Sequence, residues 1–147
     1  MANTEIWHEI TIKASPRDVY QALTDLEKLA QWWIPDTRGE SSIGKTLEFR
    51  IGDLCQEMQV MLLQPNERVG WQPTETGLPD WTGTRVAFTI APQETDDRAS
   101  VQFRHSGYRE DIAAFGVYSM SWAIRLISLK DLLEKGTGHP FPNEWDS

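Results

Sequence analysis

The 147-residue sequence predicts an α+β fold, a curved antiparallel sheet of about six strands around a long C-terminal helix. Three observations predict it. Short runs of alternating apolar residues recur from Glu5 to His105, turn residues separate those runs, and the last part of the chain changes to helical spacing. The length is that of one common-sized domain, spanning 1–147 with a core at 5–136 and an irregular tail at 137–147.

The first strand runs from Glu5 to Lys13, with Ile6, His8, Ile10 and Ile12 on one face. Ser15-Pro16-Arg17-Asp18 then opens a helix, because serine caps, proline suits the first helical position and aspartate favours the positive helix end. Thr24-Asp25-Leu26-Glu27 reads as a capping box for a second short helix that runs toward Trp32 and Trp33 and stops at Pro35. From Thr46 the period becomes two. Leu47, Phe49 and Ile51 form one apolar row; Met58, Val60 and Leu62 form the next. Val69 and Trp71 flank Gly70, and two further rows follow, Val86-Phe88-Ile90 and Val101-Phe103-His105. A sheet apolar on one face needs a cover on that face.

The cover is the final helix, expected over Tyr108 to Lys135, about 42 Å at 1.5 Å per residue. Phe115, Ser119, Trp122, Leu126, Leu129 and Leu133 share one stripe, with Tyr118 at its edge. Gly136 supplies the stop. Gly116 in the interior reads as a kink or a close approach. A second apolar stripe, Ala113, Val117, Met120, Ile124 and Ile127, lies on the opposite side. Loops and the short helices cover it, or a partner does, in the simplest case a second copy forming a homodimer. Phe141 and Trp145 are candidates to pin the tail to the body.

Several function classes drop out on composition. The net charge is −8 and no Lys/Arg cluster interrupts it, so nucleic-acid binding lacks its electrostatic footprint. The longest uncharged stretch, Ile112 to Ile124, falls short of the ~20 residues of a spanning helix, so no membrane anchor is expected. A single cysteine and a start without a secretory leader fit a cytoplasmic setting. Cys55, His8, His105 and His139 show no metal-type spacing, and no nucleotide motif is present. No cofactor is expected, and no catalytic or metal-ligating set can be named.

A family resemblance emerges from the ordered pieces. Ile12-Lys13-Ala14-Ser15-Pro16, Val19-Tyr20-Gln21-Ala22-Leu23-Thr24-Asp25, Leu29 and Trp32-Trp33 resemble the opening of the homologues of the heat-shock-protein-90 ATPase activator. These form a branch of the START-like, polyketide-cyclase-like (SRPBCC) superfamily. Phe103-Arg104-His105-Ser106-Gly107-Tyr108 resembles the family's last strand and exit turn. Trp122, Leu126, Leu129-Lys130, Leu133-Glu134 and Gly136 resemble its terminal helix, with Ser121 where the family often has glycine. The resemblance implies a helix-grip fold with an internal cavity.

Seven tryptophans stand out in the composition. Strand parity and helix spacing turn Trp33, Phe49, Met58, Trp71, Phe88, Phe103, Tyr118 and Trp122 toward the space between sheet and helix. Each alone reads first as core; as a set they also suit an apolar ligand cavity. His8 and His105 share the inward parity and are expected as neighbours at one rim, either in local hydrogen bonds or as a polar handle for a ligand, with Tyr108 and Asp111 nearby. Trp81, in the Gly/Pro-rich stretch Pro73 to Gly83, reads as a lid or as a loop anchor. The leading expectation is a non-catalytic binder of a small hydrophobic or aromatic molecule. Two readings compete with it: a cyclase- or hydrolase-type enzyme using a rim histidine, and a chaperone-related interaction module.

Overall fold

A computed structural model describes residues 4–94 and 97–142. Its elements follow the chain as β1 (Thr4–Ile12), α1 (Pro16–Thr24), α2 (Leu26–Trp32), β2 (Asp36–Gly39), β3 (Thr46–Ile51), β4 (Leu54–Gln64), β5 (Arg68–Pro73), β6 (Arg85–Pro92), β7 (Ala99–Tyr108) and α3 (Phe115–Lys135). The strands form one antiparallel sheet in the order β1-β7-β6-β5-β4-β3-β2. The α+β architecture is therefore as expected, with seven strands instead of about six. The additional strand, β2, is the short Asp-Thr-Arg-Gly run paired only to β3. Its four largely polar residues carry no alternation, so hydropathy alone does not reveal it.

The helix starts follow local chemistry. Ser15 Oγ accepts from Asp18 N at 3.1 Å, with Pro16 in the first position. The second cap differs from the expected box. Asp25, not Thr24, accepts from Glu27 N at 3.1 Å, while Thr24 Oγ1 donates back to the Tyr20 carbonyl. Asp25 thus ends α1 and begins α2, which gives the bend. Trp32 Nε1 donates to the Ala22 carbonyl at 2.8 Å and locks the two helices together.

Helix α3 is shorter than its periodicity suggests. It spans 21 residues, about 32 Å, because Tyr108 closes β7 and residues 109–114 form a connection. Gly116 falls in the first turn with open space around it, so it marks neither a kink nor a close approach. Gly136 stops the helix in the left-handed region at φ 82, its N–H bonded to the Leu132 carbonyl. No helix among the described residues is long and apolar enough to cross a membrane.

Beyond the stop the chain folds back. Ser128 Oγ donates to the Trp32 carbonyl and accepts from His139 N, at 2.8 and 2.7 Å. Phe141 N donates to the Trp33 carbonyl at 2.7 Å, so Phe141 does pin the tail; Trp145 lies outside the described residues. At the other sheet edge, Lys130 Nζ donates to the Thr11 carbonyl and Glu134 accepts from Lys13 N. The bond from Lys13 N, then the one Lys130 Nζ donates to the same carboxylate, hold the Glu134 carboxyl below its ordinary value.

These tethers fasten the apolar stripe of α3 onto the sheet, burying Trp122, Leu126 and Leu129. The second stripe stays outside. Val117 and Met120 are 69% and 63% exposed, and Ile127 is exposed as well. Among the described residues neither the loops nor the short helices cover Val117 and Met120, while Ile124 is half-buried.

Candidate functional site

Alternation along five strands aims one row of side chains at α3. Phe49 on β3, Met58 on β4, Trp71 on β5, Phe88 on β6, and Phe103 and His105 on β7 are all buried. Trp33, at the end of α2, and Trp122, on α3, complete the enclosure. Trp122 is the hub of this cluster. Its ring lies 4.5 Å from Phe103, 5.0 Å from Trp33, 5.8 Å from Trp81 and 5.9 Å from His105, centroid to centroid. Trp33 in turn meets Phe49 at 4.1 Å and stacks on Trp71 at 5.9 Å with planes 6° apart. Neighbouring rings are in direct contact, in the offset and edge-on arrangements that aromatic quadrupoles favour.

One polar group sits inside this apolar set. His105 is fully buried, and its hydrogen bonds assign its tautomer. Thr84 Oγ1 donates to the Trp81 carbonyl at 2.5 Å, so it accepts from His105 Nε2–H at 2.8 Å. Trp122 Nε1 can only donate, and it reaches His105 Nδ1 at 3.1 Å; the Tyr108 hydroxyl reaches the same nitrogen at 2.9 Å. Burial holds the imidazole far below its usual range, at about 3. Burial also pushes the Tyr108 hydroxyl well above its ordinary value. His105 is therefore a neutral group whose lone pair already receives two donors. A general base needs a free lone pair near the reacting proton, and this arrangement offers none.

The other predicted residues are distributed differently. Register places His8 opposite Phe103 and Ile6 opposite His105, with a bulge between Thr4 and Ile6. His8 turns to α3, where Nε2 approaches the Ser119 carbonyl at 3.0 Å and Ser119 Oγ at 3.3 Å. The two histidines thus serve separate networks, and His105 lies in the interior, not at a rim. Tyr118 is half-buried at the helix start and donates to Asp80 Oδ2 at 2.8 Å. Burial, then that hydrogen bond, raises its hydroxyl to about 12. Tyr108 joins His105 as expected, whereas Asp111 is exposed beside Arg109.

Trp81 and Thr84 join the cluster from outside the predicted set. Trp81 enters from a single turn of 3-10 helix at Pro79–Trp81 and is 7% exposed. Nothing periodic marks either residue; their only sequence signal is a tryptophan and a threonine on either side of a glycine turn. Two indole N–H groups, Trp71 Nε1 and Trp81 Nε1, are buried without an acceptor among the described residues. Leaving such donors unpaired costs about 1–3 kcal/mol each.

The wet face of the sheet brings Glu48, Cys55 and Glu57 together, ligand atoms within 4.8 Å of one another. Arg50 already engages Glu48 at 2.6 Å, and burial pushes the Cys55 thiol up, away from the thiolate a metal requires.

The profile of the family described as "Activator of Hsp90 ATPase homolog 1-like protein" matches residues 13–134. The chain belongs to that family. It is similar to the Aha1 dimer of Colwellia psychrerythraea, solved in solution, with 36% identity, a TM-score of 0.82, and coverage of 92% of this chain and 99% of that one. It shares the fold of MLL2253 from Mesorhizobium loti at 20% identity, TM-score 0.78, covering 90% and 98% of the two chains. It shares it too with CalU16 from Micromonospora echinospora at 16% identity, TM-score 0.72, covering 98% and 80%. No curated protein matches the chain. The START-like, polyketide-cyclase-like fold expected from the sequence is thus the fold of this family member.

The neutral state of His105 has a measurable consequence. A depressed folded-state value means stability present above about 6.5 and lost as pH falls toward 3, because the unfolded imidazole takes up the proton first. Urea denaturation is expected to give about 2 kcal/mol less stability at about pH 5 than at about pH 7.5. Over that range NMR should show His105 as a neutral Nε2–H imidazole throughout. Titration of His105 near 6.5 would contradict the network.

Proposed function

We propose that this protein binds a small hydrophobic or aromatic molecule between the sheet and α3, without catalysing a reaction on it. The observation that carries this reading is the interior ring cluster holding two buried indole N–H donors with no acceptor among the described residues. A core serving stability alone gains nothing from unpaired donors, whereas a guest carrying an oxygen gives Trp71 Nε1 a partner. The filled lone pair of His105 favours binding over the histidine-based enzyme. Because the rings touch, the guest enters by parting them. Trp33, Phe49, Met58, Trp71, Phe88, Phe103 and Trp122 line its path, His105 fixes the depth, and His8 and Tyr118 stand at the helix margins.

A second reading concerns assembly. The face formed by Ala113 just before α3, the exposed Val117 and Met120, and the half-buried Ile124 forms a homodimer contact, a reading favoured by the exposure of Val117 and Met120 and by the dimeric state of the Colwellia relative. Ligand and partner then occupy opposite sides of one helix.

Two experiments test these readings. Planar aromatic compounds such as 2-naphthol are expected to quench intrinsic tryptophan fluorescence saturably. Trp122→Leu should weaken that binding about tenfold, or 1.4 kcal/mol, while Trp7→Leu on the wet face leaves it unchanged. Absence of any saturable response across a broad panel of apolar compounds would remove the binding reading. For assembly, sedimentation should show a dimer at tens of micromolar that Met120→Glu converts to monomer with 2-naphthol binding intact. A monomeric wild-type chain would remove the second reading.

A further inference from the structure

The segment from residue 74 to 84 reaches over the aromatic interior and is held in an unequal way. Its stem is fixed by Gln56, which is buried. Gln56 Oε1 accepts from Leu78 N at 2.9 Å, and Nε2 donates to the Thr76 and Glu57 carbonyls at 3.4 and 3.1 Å. Gly77, at φ 129, passes so close that any Cβ would run into the Gln56 amide. Its far end is fixed by Thr84, bonded to Trp81 and His105. The tip between these anchors carries Asp80 and Trp81. Among the described residues it is tied to α3 by the Tyr118–Asp80 hydrogen bond, with Arg109 at 3.5 Å from the same carboxylate.

Trp81 itself behaves as a ring delivered to a ring-binding place. It stacks on Trp122 with planes 19° apart, and meets His105 edge-on at 4.9 Å and Tyr118 at 5.8 Å. Among the described residues no hydrogen bond holds the ring there, since its Nε1 has no acceptor. The adjoining Gly83 sits at φ 84 with no atom near the place a Cβ would take, in a backbone region that glycine enters without steric cost.

We propose that residues 74–84 are a gate whose plug is the Trp81 ring, displaced by a planar guest of one or two fused aromatic rings that takes its place against Trp122 and His105. This rests on the binding reading above and adds the position, size and shape of the guest. The Tyr118–Asp80 bond is the latch. A latch that favours the closed state lowers apparent affinity by the fraction of molecules that are open, so weakening it tightens binding.

The test uses 2-naphthol with the wild-type chain, Asp80→Ala and Tyr118→Phe, which break the latch from its two ends. Circular dichroism establishes that each variant is folded. Both variants are expected to bind about fivefold tighter than wild type. Binding should raise hydrogen exchange in 74–84, because the plug leaves, while β6 and β7 become more protected. Wild-type binding with unchanged affinity in both variants and lowered exchange in 74–84 would overturn the gate and leave the binding reading standing. Failure of all three proteins to bind 2-naphthol would overturn both.

Discussion

The hydrogen bond from Trp122 to His105 joins the helix to the sheet at the centre of the molecule, and much else follows from it. An indole can only donate, so His105 must present a lone pair there and carry its proton on the other nitrogen. That proton goes to Thr84, whose own hydroxyl holds the Trp81 carbonyl and with it the end of the 74–84 segment. One bond thereby sets the tautomer of the buried histidine, the seat of the helix and the anchor of the covering loop. Burial keeps the histidine neutral, since a buried charge without a partner is far more costly than a buried hydrogen bond.

The parts of this arrangement that follow a period were legible in the sequence. Phe49, Trp71, Phe88, Phe103 and His105 face inward because strands alternate, and Trp122, Leu126 and Leu129 face them because α3 repeats at helical spacing. What escaped has no period. The short β2 is nearly all polar, and Thr24 and Asp25 are both competent caps whose choice depends on local backbone geometry. The helical spacing extends back to Tyr108, yet that residue is held in β7 by pairing with Thr4 and by its bond to His105, contacts made with distant parts of the chain. His8 and His105 share a face, as parity says, but the bulge near the start of β1 and the reach of Ser119 send them to different partners. Trp81 and Thr84 enter through a turn, where nothing in the spacing of residues reports which way a ring will point.

The geometry gives the helix two contrasting faces. Toward the sheet, α3 presents Trp122 to a set of rings that close upon each other; away from it, Val117 and Met120 lie in water. On the proposed reading the inner face takes a small apolar guest and the outer face a second copy of the chain. Kinship with a dimeric protein of the same family at 36% identity bears on the outer face, while the unpaired indole donors bear on the inner one.

The central claim is that a guest resides among the interior rings. Intermolecular NOEs between an unlabelled naphthalene-class compound and the isotope-labelled protein test it most directly. The account predicts cross-peaks to the ring protons of Trp33, Trp71, Phe103 and Trp122. Cross-peaks confined to the outer helix methyls of Val117 and Met120, or to Met61 on the wet face of the sheet, would contradict it.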